Sequence, residues 1–220
     1  MKKINLIFDF DSTLIKLETI EILATFALKE NPRKKEILKE INHITNLAMN
    51  GEMLFSKALK KRISLLSINQ NHINQTILFL EKKLSDSFLN NINLFKKNIY
   101  NSFVISGGFT DIIIPILKNY GFNKNNIFAN TFLFNENGDA TIDETNNLSK
   151  DGGKQIVAKN ISGYNIIIGD GYTDYELKKL GGAKKFILFT ENIYRKELRE
   201  KADFIANNFN EVFKYIDNER

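Results

Sequence analysis

Short runs of apolar residues alternate along the chain with stretches in which apolar residues recur every three or four positions. The runs span residues 4–8, 103–106, 166–170 and 186–189 and have the length of strands. Helical spacing occupies residues 111–119, 154–160, 173–180 and 194–201. Strands that are apolar on both faces and separated by helices are typical of parallel sheets covered on both sides. The pattern predicts an α/β protein with a Rossmann-like, doubly wound, mostly parallel sheet.

Residues 16–83 interrupt this alternation. Their apolar positions keep helical spacing over about four successive stretches, and we predict no strand there. We therefore expect a helical subdomain, residues 16–83, inserted into a core made of residues 1–15 and 84–220. Residues 128–145 form a second departure, in which Asn137-Gly138 is typical of the turn of a small β-hairpin.

Composition and charge exclude several classes of protein. The 220 residues include no Cys, which rules out disulfides, thiolate zinc sites and a cysteine nucleophile and fits a cytoplasmic location. The apolar run near the start is too short for a secretory signal, and no run approaches the length of a membrane span, so we expect no membrane partner. The net charge of +5 is spread along the chain, and no basic and aromatic strand stands out, so we expect no nucleic-acid partner.

Two carboxylates, Asp9 and Asp11, directly follow the first predicted strand. Ligands of open α/β sheets bind beyond the carboxyl ends of the strands. At that position one carboxylate could attack a phosphorus atom, and the other could exchange a proton with the leaving oxygen. An Asp-x-Asp pair by itself is more often two solvated loop acids, but the strand before it and Ser12-Thr13 after it favour the catalytic interpretation.

Two further strand ends and one helix start carry residues suited to phosphate or to a metal ion. Ser106-Gly107-Gly108 offers a hydroxyl and bare backbone amides to an anion, although the same residues could simply cap a helix. Gly169-Asp170-Gly171 and Asp174 offer the carboxylate oxygens that Mg²⁺ prefers, and the ligand spacing of a calcium loop is absent. Lys154 begins a predicted helix and could either hold phosphate or lie on the surface.

Taken in this order, the four groups of residues resemble the motifs of the haloacid-dehalogenase-like phosphohydrolases, and the match extends from Asp9 to Asp174. The helical insertion resembles the cap of that superfamily. Within the first motif and the cap the resemblance is to the phosphoserine phosphatase family, and it rests on Glu18, Met49-x-Gly51, Phe55 and residues 61–66. The resemblance implies an enzyme of serine biosynthesis that uses Mg²⁺ to hydrolyse a small-molecule substrate, phosphoserine.

For the reaction itself, the resemblance implies a nucleophile, Asp9, and a general acid and base, Asp11. It implies a Mg²⁺ site formed by Asp9, the backbone carbonyl of Asp11 and Asp170, with Asp174 in support. The phosphoryl oxygens would be held by four residues, namely Ser106, Gly107, Lys154 and Thr173. Thr173 stands where many members of the superfamily carry Asn, and we expect the change to be tolerated because both side chains form hydrogen bonds.

For the rest of the substrate, the resemblance implies that Glu18 binds the ammonium group, that Arg62 binds the carboxylate, and that Met49 and Phe55 line the pocket. Taken alone, Arg62 ends a Lys60-Lys61-Arg62 run that is typical of a solvated helix face. Three alternatives remain at this point: a capped phosphatase for another small ester, a phosphotransferase that uses an acceptor alcohol such as homoserine, and a basic binding module without catalysis. The pattern predicts no oligomeric state.

Overall fold

The computed structural model describes residues 3–219, so residues 1–2 and 220 of the predicted core lie outside the described residues. Within this range the strands are β1 Ile4–Phe8, β2 Ile68–Asn69, β3 Ser102–Phe109, β4 Ile127–Asn130, β5 Phe132–Phe134, β6 Asp139–Ile142, β7 Tyr164–Gly169, β8 Lys185–Phe189 and β9 Phe204–Ala206. The α-helices are α1 Thr19–Ala27, α2 Lys34–Asn50, α3 Phe55–Ser64, α4 Gln70–Leu80, α5 Asp86–Asn90, α6 Ile92–Asn98, α7 Thr110–Leu117, α8 Gly153–Ala158, α9 Tyr172–Lys179 and α10 Phe209–Glu219. Among these helices, none is both long and apolar enough to span a membrane.

The main sheet has six strands in the order β4-β3-β1-β7-β8-β9, and each neighbouring pair is parallel. The predicted fold class is confirmed, with β1 at the centre of the sheet. Side chains of β1 are buried on both faces: Phe8 packs in one apolar cluster and Ile7 in the other. Burial on both faces explains why this strand reads as an unbroken apolar run.

Two details predicted for the core are wrong. Residues 128–130 do not belong to the hairpin, because they lie in β4 and pair with β3 in the main sheet. The predicted helix near residue 200 is a short 3₁₀ helix, Lys196–Lys201, in which Leu198 supplies the buried side chain. A single buried anchor does not sustain a longer amphipathic helix. The hairpin itself is confirmed as β5 and β6, with Gly138 in the left-handed region at φ +80.

Four α-helices, α1 to α4, lie between β1 and residue 84, as the helical spacing predicts. The chain leaves and re-enters the core at neighbouring points, because Ile15 and Leu84 form an isolated antiparallel bridge. Lys16 N donates to Lys83 O at 2.8 Å beside that bridge. The apolar stripes of α1 and α2 face the interior, with Leu23 and Ile41 fully buried. The division of the chain into a core and a cap of residues 16–83 stays a prediction.

A small second sheet connects the helical insertion to the rest of the chain. It contains three strands in the order β2-β6-β5, and β2 comes from the insertion, where we predicted no strand. Ile68 and Asn69 pair antiparallel with Ala140 and Asp139 of the hairpin. Two residues are too short for a period-two pattern to be visible, so this strand exists through its tertiary partner.

Candidate active site

The proposed site residues meet at the carboxyl ends of β1, β3 and β7. Asp9 follows β1, and its backbone N donates to Ile168 O of β7 at 2.9 Å. Ser106 lies in β3, and Asp170 follows β7. Residues of the insertion cover the other side and leave a recessed space of about 20 Å³. That space has room for one or two water molecules. The lining includes Asp9, Asp11, Glu18, Met49, Phe55, Arg62, Ser106, Gly107, Lys154, Asp170 and Thr173.

Asp9 and Asp11 lie on a tight turn after β1, and their carboxylates have different hydrogen-bond partners. Asp9 Oδ1 accepts a hydrogen bond from its neighbour Phe10 N at 2.8 Å. Asp11 Oδ1 accepts from Thr19 N at 3.0 Å and also from the Thr19 hydroxyl. Ser12 lies in the left-handed region at φ +52, which is uncommon for a residue with a Cβ. Its hydroxyl donates to Glu18 Oε1 at 2.7 Å, so the turn also orients Glu18.

Asp11 has the electrostatic environment of a proton donor. Burial raises the pKa of its carboxyl well above the ordinary value, and the charge of Glu18 adds to the rise. The hydrogen bonds from Thr19 act in the opposite direction, and Asp9 contributes a further increase. A carboxyl with a raised pKa keeps its proton at higher pH and can transfer it to a leaving oxygen.

The ammonium group of Lys154 and the glycine-containing segment after Ser106 lie beside Asp9. The buried Lys154 Nζ is 3.0 Å from Asp9 Oδ1 and 2.7 Å from Asp174 Oδ1. Burial alone would lower the pKa of Lys154, but these two carboxylates raise it above its ordinary value. Ser106 Oγ accepts from Gly108 N at 3.0 Å, which leaves its own proton free for an oxygen in the cavity.

Gly107 is required by the approach of the insertion. A Cβ at this position would lie 2.6 Å from Cζ of Phe55, so any side chain would displace the aromatic ring. Phe55 therefore packs directly over Gly107.

Three carboxylates form a cluster that could hold a metal ion. Asp9, Asp170 and Asp174 each offer an oxygen within 4.8 Å of the other two. Burial, followed by the charge of Glu18, raises the pKa of Asp170 well above its ordinary value. Burial, followed by the charge of Asp9, raises the pKa of Asp174 to about 7 although Lys154 opposes the rise. The protein's own cations thus leave excess negative charge here, and a hard divalent cation with oxygen ligands fits it.

Within this cluster, both oxygens of Asp174 have protein partners. Oδ1 accepts from Lys154, and Oδ2 accepts from Gly171 N at 3.1 Å. A Cβ on Gly169 would lie 2.2 Å from Oδ2, so only glycine fits between this carboxylate and the end of β7. These contacts suit the supporting role that the resemblance implies for Asp174.

Arg62 is not on a solvated helix face, which corrects the interpretation drawn from the lysine run alone. Its side chain is buried, with Nε donating to Ala58 O at 3.2 Å and Nη1 donating to Thr45 Oγ1 at 3.0 Å. Among residues 3–219, no carboxylate pairs with it within 4.0 Å. Burial lowers the pKa of its guanidinium, and the charge of Glu18 is the largest opposing effect. A substrate carboxylate would supply the missing partner.

Glu18, Met49 and Thr173 complete the wall of the cavity. Met49 also packs against the loop after β7, because a Cβ on Gly171 would lie 2.8 Å from its Sδ. The structure thus brings all the predicted site residues together, with Asp174 one layer behind the cavity surface.

Arg195 is a site residue that our sequence analysis did not identify. It lies in the loop after β8, and its Nε donates to Asp170 Oδ2 at 3.0 Å. The one signal available in the sequence was its position beyond the carboxyl end of a predicted strand, residues 186–189.

The parallel sheet, the acids after β1 and β7 and the helical insertion define a protein of the haloacid-dehalogenase-like class. No family model matches the chain. A phosphoserine phosphatase of Methanocaldococcus jannaschii is 31% identical over 229 residues, which cover 98% of this chain and 98% of the relative. The chain belongs to the phosphoserine phosphatase family.

Solved structures agree with this assignment. A phosphoserine phosphohydrolase-like protein from Francisella tularensis has 34% identity and a TM-score of 0.88, over 98% of this chain and 100% of that one. A phospho-aspartyl intermediate analogue of phosphoserine phosphatase has 27% identity and a TM-score of 0.79, over 97% of this chain and 98% of that one.

Proposed function

We propose that this protein hydrolyses O-phospho-L-serine to serine and phosphate with the help of Mg²⁺, as a step of serine biosynthesis in the cytoplasm. The observation that carries the proposal is one recessed cavity with two chemically different ends. Asp9, Asp11 and Lys154 form the end suited to a phosphoryl group, and Glu18 and Arg62 form the end suited to an amino acid.

The reaction has two half-reactions. In the first, a carboxylate oxygen of Asp9 forms a bond to phosphorus as the bond between phosphorus and the serine oxygen breaks. Asp11 gives its proton to that serine oxygen. In the second, Asp11 takes a proton from water, the water oxygen bonds to phosphorus, and the bond to Asp9 breaks to release phosphate. The matched phospho-aspartyl intermediate analogue supports a covalent intermediate of this kind.

Protein groups hold the phosphoryl oxygens during both half-reactions. Ser106, Gly107 and Lys154 line the cavity together with Asp9, and they offer a hydroxyl, a backbone amide and an ammonium group as donors. Thr173 lines the same end and can add a hydroxyl hydrogen bond. Donors that are already in place stabilise developing charge without reorganisation, which is the main source of rate enhancement in such sites.

Asp9 and Asp170 would hold Mg²⁺, together with the backbone carbonyl of Asp11, and Asp174 would support them. When bound, the ion offsets the repulsion between the Asp9 carboxylate and the phosphate dianion.

Two charged side chains account for the choice of an amino acid phosphate. Glu18 matches an ammonium group, and the unpaired Arg62 matches a carboxylate that its planar guanidinium can bind through two hydrogen bonds. Met49 and Phe55 add apolar walls to the same cavity. We propose that residues 16–83 act as a cap that opens to admit the substrate, because the cavity of about 20 Å³ is too small for phosphoserine.

The test is phosphate release from a panel of phosphomonoesters with Mg²⁺ present. The kcat/KM for phosphoserine should be at least about tenfold higher than the kcat/KM for phosphothreonine, for an aryl phosphate or for phosphoethanolamine. The last of these lacks the carboxylate. Similar kcat/KM values for all these substrates would contradict the proposal and would indicate a general phosphatase. Phosphoryl transfer to added homoserine in preference to water would replace it with a phosphotransferase.

A further inference from the structure

Arg195 is a buried arginine that contacts three parts of the molecule at once. Its Nε donates to Asp170 Oδ2 at 3.0 Å. Its Nη2 lies 3.9 Å from Glu18 Oε1, and its Nη1 donates to Asn46 Oδ1 of helix α2 at 3.4 Å. The side chain is 4% exposed. A single guanidinium therefore touches the metal cluster, the amino-acid end of the cavity and the helical insertion.

The two buried cations near the cluster pair with different carboxylates, and Arg195 pairs with Asp170. Lys154 pairs with Asp9 and Asp174. Arg195 is the ion-pair partner of Asp170 within residues 3–219. A buried carboxylate without a partner is strongly unfavourable. Asp170 thus depends on Arg195 both for its charge balance and for its orientation.

We propose that Arg195 is a positioning residue for the metal site, which holds one oxygen of Asp170 and leaves the other oxygen for Mg²⁺. Asp170 Oδ2 is taken by Arg195 Nε, and no hydrogen bond of the described residues engages Oδ1. A guanidinium on one oxygen stops the carboxylate from rotating and presents the second oxygen to the cluster. Outer partners of metal ligands act in this way, and their loss typically weakens metal binding by about 10- to 100-fold. The inference rests on the metal site of the proposed function.

The contacts of Arg195 with Glu18 and Asn46 fix the guanidinium itself. The two terminal nitrogens point to two different residues, so the planar group has little freedom to turn away from Asp170. A lysine here would keep the charge but would lose the fork that reaches all three partners.

If Arg195 competed with Mg²⁺ for Asp170, its removal would have the opposite effect on Mg²⁺ binding. If Mg²⁺ needed Asp170 Oδ2, Arg195 would compete with the ion and would have to leave before it could bind. Removal of Arg195 would then tighten Mg²⁺ binding instead of weakening it. The sign of the change in Mg²⁺ affinity decides between a positioning residue and a competitor.

The experiment is calorimetric titration of the full-length, metal-free protein with Mg²⁺ in the absence of substrate. Arg195→Gln should weaken binding by about 10- to 100-fold, and Arg195→Lys should weaken it less. Arg33→Gln is the matched control, because Arg33 is an exposed arginine paired with Glu36 far from the cavity. Its affinity should stay within about twofold of the unaltered protein.

Circular dichroism identifies variants that fail to fold. If Arg195→Gln is unfolded, the Mg²⁺ affinity of Arg195→Lys is the deciding measurement. An affinity equal to that of the unaltered protein overturns the proposal. Equal or tighter binding by a folded Arg195→Gln overturns it as well. Failure of the unaltered protein to bind Mg²⁺ overturns the metal site together with the role of Arg195. Mg²⁺ binding without phosphoserine hydrolysis overturns the proposed substrate and leaves the Arg195 result interpretable.

Discussion

Lys154 Nζ lies 3.0 Å from Asp9 Oδ1, and both side chains are almost completely buried. The two residues are far apart in the sequence, but the carboxyl end of β1 and the amino end of α8 meet at the same edge of the sheet. The cation thus stands next to the proposed nucleophile, where it can also contact the phosphoryl oxygens that the nucleophile approaches. This pairing places the proposed nucleophile and its electrostatic support side by side before a substrate binds.

The first prediction concerns Asp9. Asp9→Asn keeps the shape of the side chain but removes the negative charge that makes its oxygen a nucleophile, so kcat should fall by at least ~10³-fold. Phosphate release measures the loss, and rapid quench of the unaltered enzyme should trap phosphate on Asp9. Asp139→Asn, at an exposed position of the hairpin, serves as the control and should retain activity. Trapped phosphate on Ser106 would contradict the assigned role.

The second prediction concerns the metal ion. A chelator should abolish phosphoserine hydrolysis, and added Mg²⁺ should restore it. Mg²⁺ should also raise the Tm of the unaltered protein, because a ligand that binds the folded state stabilises it. Asp170→Ala should remove most of that rise while leaving a folded protein. Full activity in excess chelator would exclude Mg²⁺ from the mechanism.

The third prediction concerns Arg62 and substrate choice. Arg62→Ala breaks a desolvated charge pair with the substrate carboxylate, which typically costs ~2–4 kcal/mol. This loss corresponds to a decrease of about 30- to 1,000-fold in kcat/KM for phosphoserine. An aryl phosphate lacks the carboxylate and should lose far less. The informative quantity is the ratio of the two losses, and equal losses would assign Arg62 to the fold or to the phosphate end.

The fourth prediction concerns a contact between the helical insertion and the loop before α8. Asp151 accepts hydrogen bonds from Ser56 N at 2.9 Å and from Ser56 Oγ at 2.8 Å, so it caps the start of α3. Loss of a helix cap costs about 0.5–2 kcal/mol. Asp151→Ala should therefore favour the open cap and raise the KM for phosphoserine by about 2- to 30-fold.

The control for this contact is the neighbouring ion pair between Lys60 and Glu144. Lys60 Nζ lies 2.8 Å from Glu144 Oε2, but both side chains are largely exposed. Glu144→Gln should therefore change the KM for phosphoserine by less than about fivefold. Hydrogen exchange at the start of α3 supplies a second measurement, and it should be faster in Asp151→Ala. Unchanged exchange and unchanged KM together would show that Asp151 does not hold the cap closed.

The fifth prediction concerns acid stability. Burial would raise the pKa of Asp203, but hydrogen bonds from Lys178 and from Phe186 N outweigh it and lower the pKa. A folded-state pKa below the unfolded one gives stability that is present above the ordinary pKa of about 3.9 and is lost as the pH falls through the folded-state value. Urea unfolding should show Asp203→Asn as destabilised at pH 7, with the difference from the unaltered protein shrinking toward pH 3.

The sequence by itself determined the elements whose causes are local. The apolar run of β1 is visible because the strand is buried on both faces, and the acids after it are visible because the strand ends there. Asp170 is visible in the same way because it directly follows β7, and Ser106 because it ends the apolar run within β3. Parallel strands bring their carboxyl ends to one edge, so three separate motifs could be assigned to one site before any distance was known.

Tertiary structure alone decided the features that depend on distant partners. Strand β2 exists because β6 lies beside it, and β4 joins the main sheet because β3 offers a parallel edge. Arg62 follows two lysines and reads as a surface residue, yet packing against Thr45 buries it. Arg195 reaches Asp170 across 25 positions of sequence. In each case, the burial or pairing free energy comes from a residue that no local pattern contains, so only the folded chain reveals it.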